Sequence, residues 1–247
     1  MAHLYVADGL ESTEVGSTIT LRGSEARHAV SVSRLRVGES TLVTNGLGLL
    51  TSCETRTVGK DFVDFEVISL SQVEPQSPSV TLVQALAKGD RDERAIEMAT
   101  ELGVTAIVPW HAARSVSRWE GPKADKGRER WQSIVREASK QSVRAWIPVV
   151  APVASTADLV VEGANGLTIV LDPSGKASLG QVLAEVTASQ AQPIRIIVGP
   201  EGGLTSEELA TLVQSGSHVV GLGSNILRTS TAGPAALAVL NEVLARW

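Results

Sequence analysis

The chain has 247 residues, of which 43% are hydrophobic, 20% charged and 3% aromatic, with a formal net charge of −5. This balance is typical of a folded globular protein and argues against long disordered stretches, and the length suffices for one large domain or two modest ones. No run approaches the eighteen apolar residues of a membrane span, and the first residues, MAHLYVADGLE, lack the pattern of a signal peptide, so we expect a cytoplasmic protein.

The distribution of charged and metal-binding side chains gives two further expectations. The single cysteine and the four scattered histidines show no disulfide pairing and no metal-ligand spacing, so the sequence predicts no metal site. The net acidity argues against nucleic acid as a partner, yet residues 114–146 carry nine basic against four acidic side chains. That local excess of positive charge favours a basic surface in this part of the chain.

The first seventy residues have the features of a strand-rich domain. A helix is expected to begin near Ser24. Residues 71–79, SQVEPQSPS, contain two prolines and no periodicity, which is typical of a short linker, so we place a domain boundary there, giving domains 1–72 and 73–247. β-branched runs separated by glycine-containing turns predict strands over Ser17–Leu21, Thr41–Asn45, Leu49–Val58 and Phe62–Leu70.

Beyond the linker, predicted strands alternate with predicted helices, which indicates βαβ units and a parallel sheet. Asp90 and Glu93 are an expected N-cap pair for the first helix, and Gly103 is its expected C-cap. The predicted strands are Val80–Leu86, Val104–Pro109, Leu167–Asp172, Arg195–Val198 and Val219–Leu222. The predicted helices are Asp90–Leu102, Arg128–Ser142, Leu179–Val186, one from Thr205 and one running to Trp247.

Two glycine-containing loops follow predicted strands, and open α/β sheets bind ligands at such strand ends. They are Gly199–Gly203, GPEGG, and 221–232, GLGSNILRTSTA. Neither loop has the dinucleotide-binding or Walker A pattern, which disfavours hydride transfer and nucleoside-triphosphate chemistry. Gly199–Gly203 fits either a rigid backbone cradle for a planar ligand or a tight turn into the helix that the capping box of Thr205 and Glu208 predicts.

Two charged side chains in these loops are candidates for chemistry. Glu201 precedes a helix N-terminus, where the helix dipole alone would favour a carboxylate. Arg228 lies among apolar and hydroxyl residues, and such a guanidinium usually has a carboxylate or phosphate partner. The residues leave open whether that partner is a ligand or an internal salt bridge.

Four motifs follow one another along the second part of the chain. They are KGDRDERAIEMATELGV (88–104), RERWQSIVREASKQSVR (128–144), IVGPEGGLTSEEL (197–209) and LGSNILRTSTA (222–232). Together with SEARHAVSVSRLRVGE (24–39) they resemble the RsmE family, the bacterial 16S rRNA uridine-N3 methyltransferases of the SPOUT class. The resemblance implies an α/β protein: an N-terminal PUA-like β-barrel that binds RNA (1–72) and a C-terminal SPOUT α/β domain with a trefoil knot (73–247), assembled as a homodimer.

The resemblance also implies that the two glycine loops form the knot that holds S-adenosylmethionine, and that 16S rRNA of the small subunit is the substrate. The cofactor-binding residues it implies are Leu171, Gly199, Pro200, Glu201, Gly202, Gly203, Leu222, Gly223, Ile226 and Leu227. The catalytic candidates are Arg228, to stabilise negative charge on the uracil, and Glu201, as the weaker candidate for proton acceptor. The expected RNA contacts are Arg27, His28, Arg34, Lys88, Arg91, Arg114, Arg118 and Arg144.

The chain departs from the family pattern at Ser230, where many relatives have a glutamate after the arginine and threonine, and we expect Ser230 to cap the last helix. Two other functions stay open. One is a different SPOUT activity, such as methylation of a ribose 2′-hydroxyl or of another RNA. The other is a ribosome-assembly factor that binds RNA without catalysis.

Overall fold

The computed structural model describes residues 3–162, 166–187 and 192–247. The chain divides into two compact units, Met1–Pro75 with Ser139–Ile147, and Gln76–Ala138 with Pro148–Trp247. The sequence contains no signal for the inclusion of 139–147 in the first unit. Within the described ranges, no helix is long and apolar enough to cross a bilayer.

The first unit is built on a five-stranded sheet with the order β1-β3-β4-β5-β2. Its strands are β1 (Leu4–Val6), β2 (Thr18–Arg22), β3 (Ser40–Thr44), β4 (Leu49–Val58) and β5 (Phe62–Gln72). All pairs are antiparallel except β1 with β3. The strand β1 was not predicted, because a fully buried run of three residues shows no alternation.

The helical segment of the first unit consists of α1 (Gly23–Arg27) and a π-helical turn, His28–Val32, close to the predicted start at Ser24. Alternate residues along most of β4 are buried. Cys53 is one of these buried residues, and its burial raises the pKa of the thiol. The unit also contains a buried ion pair in which Lys140 Nζ lies 3.3 Å from Glu25 Oε1.

The second unit is built on a seven-stranded sheet whose neighbouring strands all run parallel, as the alternation of elements predicts, in the order β10-β12-β9-β11-β6-β7-β8. Its strands are β6 (Val80–Ala85), β7 (Ala106–Trp110), β8 (Val149–Val150), β9 (Leu167–Leu171), β10 (Ala177–Ser178), β11 (Ile194–Val198) and β12 (His218–Gly221). The central strands are buried on both faces, which explains their near-continuous apolar sequence. The two-residue strands β8 and β10 gave no sequence signal.

The helices of the chain beyond residue 76 largely follow the predicted positions, except that α4 was not foreseen. They are α2 (Arg91–Glu101), α3 (Pro122–Gln141), α4 (Thr156–Glu162), α5 (Leu179–Thr187), α6 (Ser206–Gln214) and α7 (Thr229–Val243). The helix α3 begins six residues before the predicted Arg128, because Pro122 suits a first helical turn and the charged residues after it carry no apolar signal.

The three helix caps that the sequence predicts at Thr205, Asp90 and Ser230 can each be compared with the structure. The capping box is confirmed: Thr205 Oγ1 accepts a hydrogen bond from the Glu208 N–H, and the Glu208 carboxylate accepts one from the Thr205 N–H. Asp90 occupies the N-cap position of α2 as predicted, but the expected capping bond does not form, because the residue is left-handed at φ 60° and its carboxylate pairs with Arg94. The helix α7 begins at Thr229, so Ser230 lies inside it rather than at its cap.

Candidate active site

A cavity of about 370 Å³ lies at the carboxyl ends of β9 and β11, the edge of the parallel sheet where ligands are expected. Its volume lies within the roughly 300–1,000 Å³ of small-molecule sites. The lining residues come from loops that are far apart in the sequence. They are Arg91, Leu171, Asp172, Pro173, Val198, Gly199, Pro200, Glu201, Gly203, Leu204, Ile226, Leu227, Arg228, Thr229 and Ala232.

A second hollow of about 60 Å³ shares a wall with this cavity. Leu222, Gly223 and Asn225 line the hollow, and Leu171, Ile226 and Leu227 line both spaces. The structure thus brings together nine of the ten residues that the family resemblance assigns to the cofactor. The exception is Gly202, which is absent from both linings.

The turn of the Gly199–Gly203 loop requires glycine at position 203 and leaves little space beside position 199. A Cβ at Gly199 would lie 2.4 Å from Leu204 Cδ1, and Gly203 has a φ of +68°, which side-chain-bearing residues rarely adopt. The Gly203 N–H donates to the Pro200 carbonyl over 2.9 Å and closes the turn. The loop is therefore a tight strand-to-helix turn and a cavity wall at once, and the two interpretations of the sequence do not exclude each other.

Thr229 connects the two glycine loops. Its Oγ1 donates to the Gly199 carbonyl over 2.8 Å and accepts a hydrogen bond from Gln84 Nε2, also over 2.8 Å. Gln84 is fully buried in β6, beside β11 in the sheet. This chain of bonds links β6, the start of α7 and the first residue of the Gly199–Gly203 loop.

Glu201 is the second attachment point of this loop. Its Oε1 accepts hydrogen bonds from the Lys88 N–H over 3.1 Å and from Arg91 Nη1 over 2.8 Å. Burial alone would raise the pKa of Glu201, but the backbone N–H groups of Glu201 and Lys88 and the Arg91 guanidinium outweigh burial and lower it. A carboxylate with a lowered pKa is a poor proton acceptor near neutral pH.

Arg114 is the third attachment point. Its Nη1 donates to the Gly202 carbonyl over 2.9 Å and to the Leu204 carbonyl over 3.2 Å. Gly202 packs on the Arg114 stem, since a Cβ at this glycine would lie 3.1 Å from Arg114 Cβ. Gly202 therefore lies on the outer side of the loop, against the segment that follows β7.

Arg228 occupies the N-cap position of α7 and lines the cavity. Its side chain is exposed and makes no hydrogen bond or ion pair with the residues that the structure describes. An internal salt bridge, the alternative left open by the sequence, is thus not seen within those residues. The guanidinium is available to a ligand with negative charge.

The residues expected to contact RNA are distributed over both units. Arg27, His28, Arg34 and Arg144 belong to the first, and Lys88, Arg91, Arg114 and Arg118 to the second. Most are exposed, but burial lowers the pKa of the Arg144 guanidinium to about 10. Arg91 and Arg114 already bind the Gly199–Gly203 loop, so neither is a simple surface charge.

Sequence reasoning missed several groups at this site. Asp172 follows β9 and lines both hollows, with Oδ1 accepting hydrogen bonds from the N–H and hydroxyl of Ser174. A polar residue directly after a buried parallel strand was a signal that could have found it. Gln84 carried a signal too, as the lone amide in the apolar run VTLVQAL.

Within the described ranges, no cluster of three or more His, Cys, Asp or Glu side chains could hold a metal ion.

Comparison with known proteins assigns the class. Residues 74–241 match the family model described as RNA methyltransferase domain, which covers most of the second unit and its cavity. The full chain is 39% identical to ribosomal RNA small subunit methyltransferase E of Mycobacterium tuberculosis, covering 94% of that protein. It is 34% identical over 98% of its length to the protein of the same name from Bacillus subtilis, covering 96% of it. The chain belongs to the ribosomal RNA small subunit methyltransferase E family, and the resemblance is confirmed.

Solved structures agree with this assignment. The Neisseria gonorrhoeae ribosomal RNA small subunit methyltransferase E bound to S-adenosyl methionine superposes with a TM-score of 0.87 at 29% identity, over 98% of each chain. A Legionella pneumophila putative methyltransferase, in complex with the same cofactor, gives 0.86 at 27% identity over 98% of each chain. The mixed α/β architecture of the present chain is therefore that of known cofactor-binding methyltransferases.

Proposed function

We propose that the protein transfers a methyl group from S-adenosylmethionine to N3 of a specific uridine in 16S rRNA of the small ribosomal subunit. One observation carries the proposal: a glycine-walled cavity at the sheet edge is lined by an arginine, Arg228, that has no partner among the described residues. The relatives named above are small-subunit rRNA methyltransferases, and the Neisseria protein binds S-adenosyl methionine. We assign the reaction to the cytoplasm, where ribosomal subunits mature.

The residues of the cavity fit the cofactor. Leu171, Val198, Ile226 and Leu227 supply apolar contacts for a flat adenine, and the loop Gly199–Gly203 brings backbone groups close to it. A Cβ at Gly199 would lie 2.4 Å from Leu204 Cδ1, so a larger residue there would require the Leu204 side chain, which also lines the cavity, to move. When bound, the cofactor supplies a methyl group on a positively charged sulfur, which makes that methyl electrophilic.

Arg228 is the residue we assign to charge stabilisation in the reaction. Uracil N3 carries a proton at neutral pH, so the base must lose it and develop negative charge before or during transfer. The Arg228 guanidinium and the N-terminal end of α7 are both positive at this edge of the cavity, and they stabilise that charge. Fixed donors in a partly enclosed site need no reorganisation as the charge develops.

Glu201 is the second catalytic candidate, and its surroundings favour a structural contribution. Its carboxylate is engaged by the Lys88 N–H and the Arg91 guanidinium, and its pKa is lowered, so it holds a proton poorly at neutral pH. We therefore rank Glu201 below Arg228 as a catalytic residue, keep it as the candidate acceptor of the N3 proton, and assign its main task to holding the cavity wall.

The remaining architecture of the family completes the proposal. We infer that residues 1–72 form a PUA-like barrel that binds RNA and that residues 73–247, less the segment 139–147 that belongs to the first unit, form a SPOUT domain with a trefoil knot made by the two glycine loops. The five-stranded sheet of the first unit and the meeting of both loops at one cavity support these assignments. We further infer a homodimer, with RNA contacts from the eight basic residues predicted above.

The test is methyl transfer from labelled S-adenosylmethionine to small subunits from cells that lack the enzyme, with naked rRNA and tRNA in parallel, followed by mass spectrometry of the nucleosides. Recovery of 3-methyluridine supports the proposal. Recovery of a 2′-O-methyl nucleoside replaces it with a different SPOUT activity. Absence of both transfer and cofactor binding leaves the non-catalytic RNA-binding function.

The variant Arg228→Ala tests the assigned role. We expect kcat to fall by about 100-fold to 1,000-fold while the cofactor affinity changes little, since the lost interaction forms with the developing charge. The matched control is Arg94→Ala, an exposed arginine of α2 that pairs with Asp90 outside the cavity. Full activity in the Arg228 variant would remove this residue from the mechanism.

A further inference from the structure

Arg114 belongs to the basic segment that sequence reasoning assigns to RNA, yet its guanidinium is bonded to the cofactor-binding loop. Nη1 carries two N–H bonds, and it lies within hydrogen-bonding distance of two carbonyl oxygens, those of Gly202 and Leu204. These carbonyls flank Gly203, the residue with the left-handed conformation. A single nitrogen of Arg114 therefore bonds to the backbone before and after Gly203.

The segment that carries Arg114 is itself fixed to the other end of the turn. Glu208, buried in the first turn of α6, accepts a hydrogen bond from the Ala113 N–H over 2.7 Å while it closes the capping box with Thr205. The backbone next to Arg114 is thus anchored to the helix that follows the turn. This anchoring lets an exposed arginine act from a defined position rather than from a freely moving side chain.

We propose that Arg114 is a positioning residue for the cofactor-binding loop Gly199–Gly203. The inference rests on the proposed function, because it concerns the affinity of the same cavity for S-adenosylmethionine. Arg114 does not line the cavity, and it acts through the Gly202 and Leu204 carbonyls, which set the path of the wall residues Pro200, Glu201 and Gly203. Its Nε and Nη2 groups donate no hydrogen bond to the described residues, so a contact with RNA phosphate is compatible with this role.

The experiment compares Arg114→Ala with two arginine controls by titration calorimetry with S-adenosylmethionine. Loss of a charge-assisted hydrogen bond to the turn is expected to raise the Kd of Arg114→Ala roughly tenfold. Within the part of the chain that the structure describes, Arg118 donates only to the nearby Ala113 carbonyl, so Arg118→Ala is expected to weaken RNA binding while its cofactor Kd stays within twofold. Arg94→Ala should change neither.

Two further readouts separate positioning from a general loss of structure. In steady-state kinetics, Arg114→Ala should raise KM for the cofactor more than it lowers kcat at saturating cofactor. Methylguanidinium added at millimolar concentration should restore much of the lost affinity in Arg114→Ala and have no effect on the wild type. Arg114→Lys, which keeps a donor of different geometry, should lie between the alanine variant and the wild type.

The outcomes distinguish the two proposals. If the wild type fails to bind S-adenosylmethionine, the proposed function is wrong, and the role of Arg114 with it. If the wild type binds and both Arg114 variants bind equally well, the function stands and the positioning role is refuted. A loss of affinity in Arg114→Ala that methylguanidinium does not restore, accompanied by a changed circular dichroism spectrum, also refutes it.

Discussion

The hydroxyl of Thr229 is the group whose removal tests the architecture of the site most directly. Thr229→Val keeps the shape of the side chain and deletes Oγ1, which donates to the Gly199 carbonyl and accepts from Gln84 Nε2, each over 2.8 Å. Thr229 and Gln84 are buried, so water cannot easily replace the lost partner. We expect lower stability of the second unit and weaker cofactor binding together.

The magnitude follows from the two bonds. The Gly199 carbonyl loses this partner in a partly buried position, which costs about 1–2 kcal/mol. The Gln84 amide loses one bond but keeps another to the Ala85 carbonyl, so its share is about 1 kcal/mol. The sum of about 2–3 kcal/mol corresponds to a fall in Tm of roughly 4–12 °C for a unit of this size.

The measurement is thermal unfolding by calorimetry with and without S-adenosylmethionine, alongside cofactor titration. Thr211→Val is the matched control, because Thr211 is exposed on α6 and its hydroxyl donates, among the residues described, only to the Glu207 carbonyl of its own helix. The control should change stability by no more than about 0.5 kcal/mol. Equal Tm values and equal cofactor affinities for the two variants would show that the Thr229 bonds do not hold the loop.

Three further predictions concern other positions. Gly221→Ala should lower Tm, because its Cβ would lie 2.7 Å from a backbone carbonyl oxygen that cannot easily move; a Tm equal to wild type would contradict this. The pKa of Glu201 is lowered in the folded state, so the carboxylate contributes stability above its ordinary pKa of 4.5 and loses that contribution as the pH falls through the folded-state pKa. Glu201→Gln should therefore make the free energy of unfolding less dependent on pH in that acid range. Lys140→Met should destabilise the first unit by about 3–5 kcal/mol in urea unfolding, since it leaves the Glu25 carboxylate buried without this partner, and Glu25→Gln added to it should recover part of the loss.

Local signals in the sequence were sufficient where neighbouring residues determine the structure. Thr205 and Glu208 stand three apart, and their reciprocal bonds form in the structure as that spacing predicts. The parallel strands were predictable because β-branched runs separated by helices leave few other arrangements. The same spacing failed at Asp90, where an ion pair with Arg94 and a left-handed backbone replace the expected cap.

Contacts between distant residues could not be predicted in this way. Arg114 and Gly202 are 88 positions apart, and Gln84 and Thr229 are 145 apart. Their pairing depends on which strand ends lie side by side, and periodicity contains no information about strand order. The family resemblance gave the residues of the cavity wall, but it did not indicate what holds the wall in place.

The bonds from Arg114 end on backbone carbonyls rather than on side chains, and this has a consequence for evolution. Every residue type offers a carbonyl, so position 204 can change among homologues without breaking its bond, and no compensating change at position 114 is required. Contact prediction from correlated substitutions depends on such compensation. Correlated substitutions would therefore give no signal for the bond to the Leu204 carbonyl, and only the close packing of Gly202 on the Arg114 stem could couple two positions here.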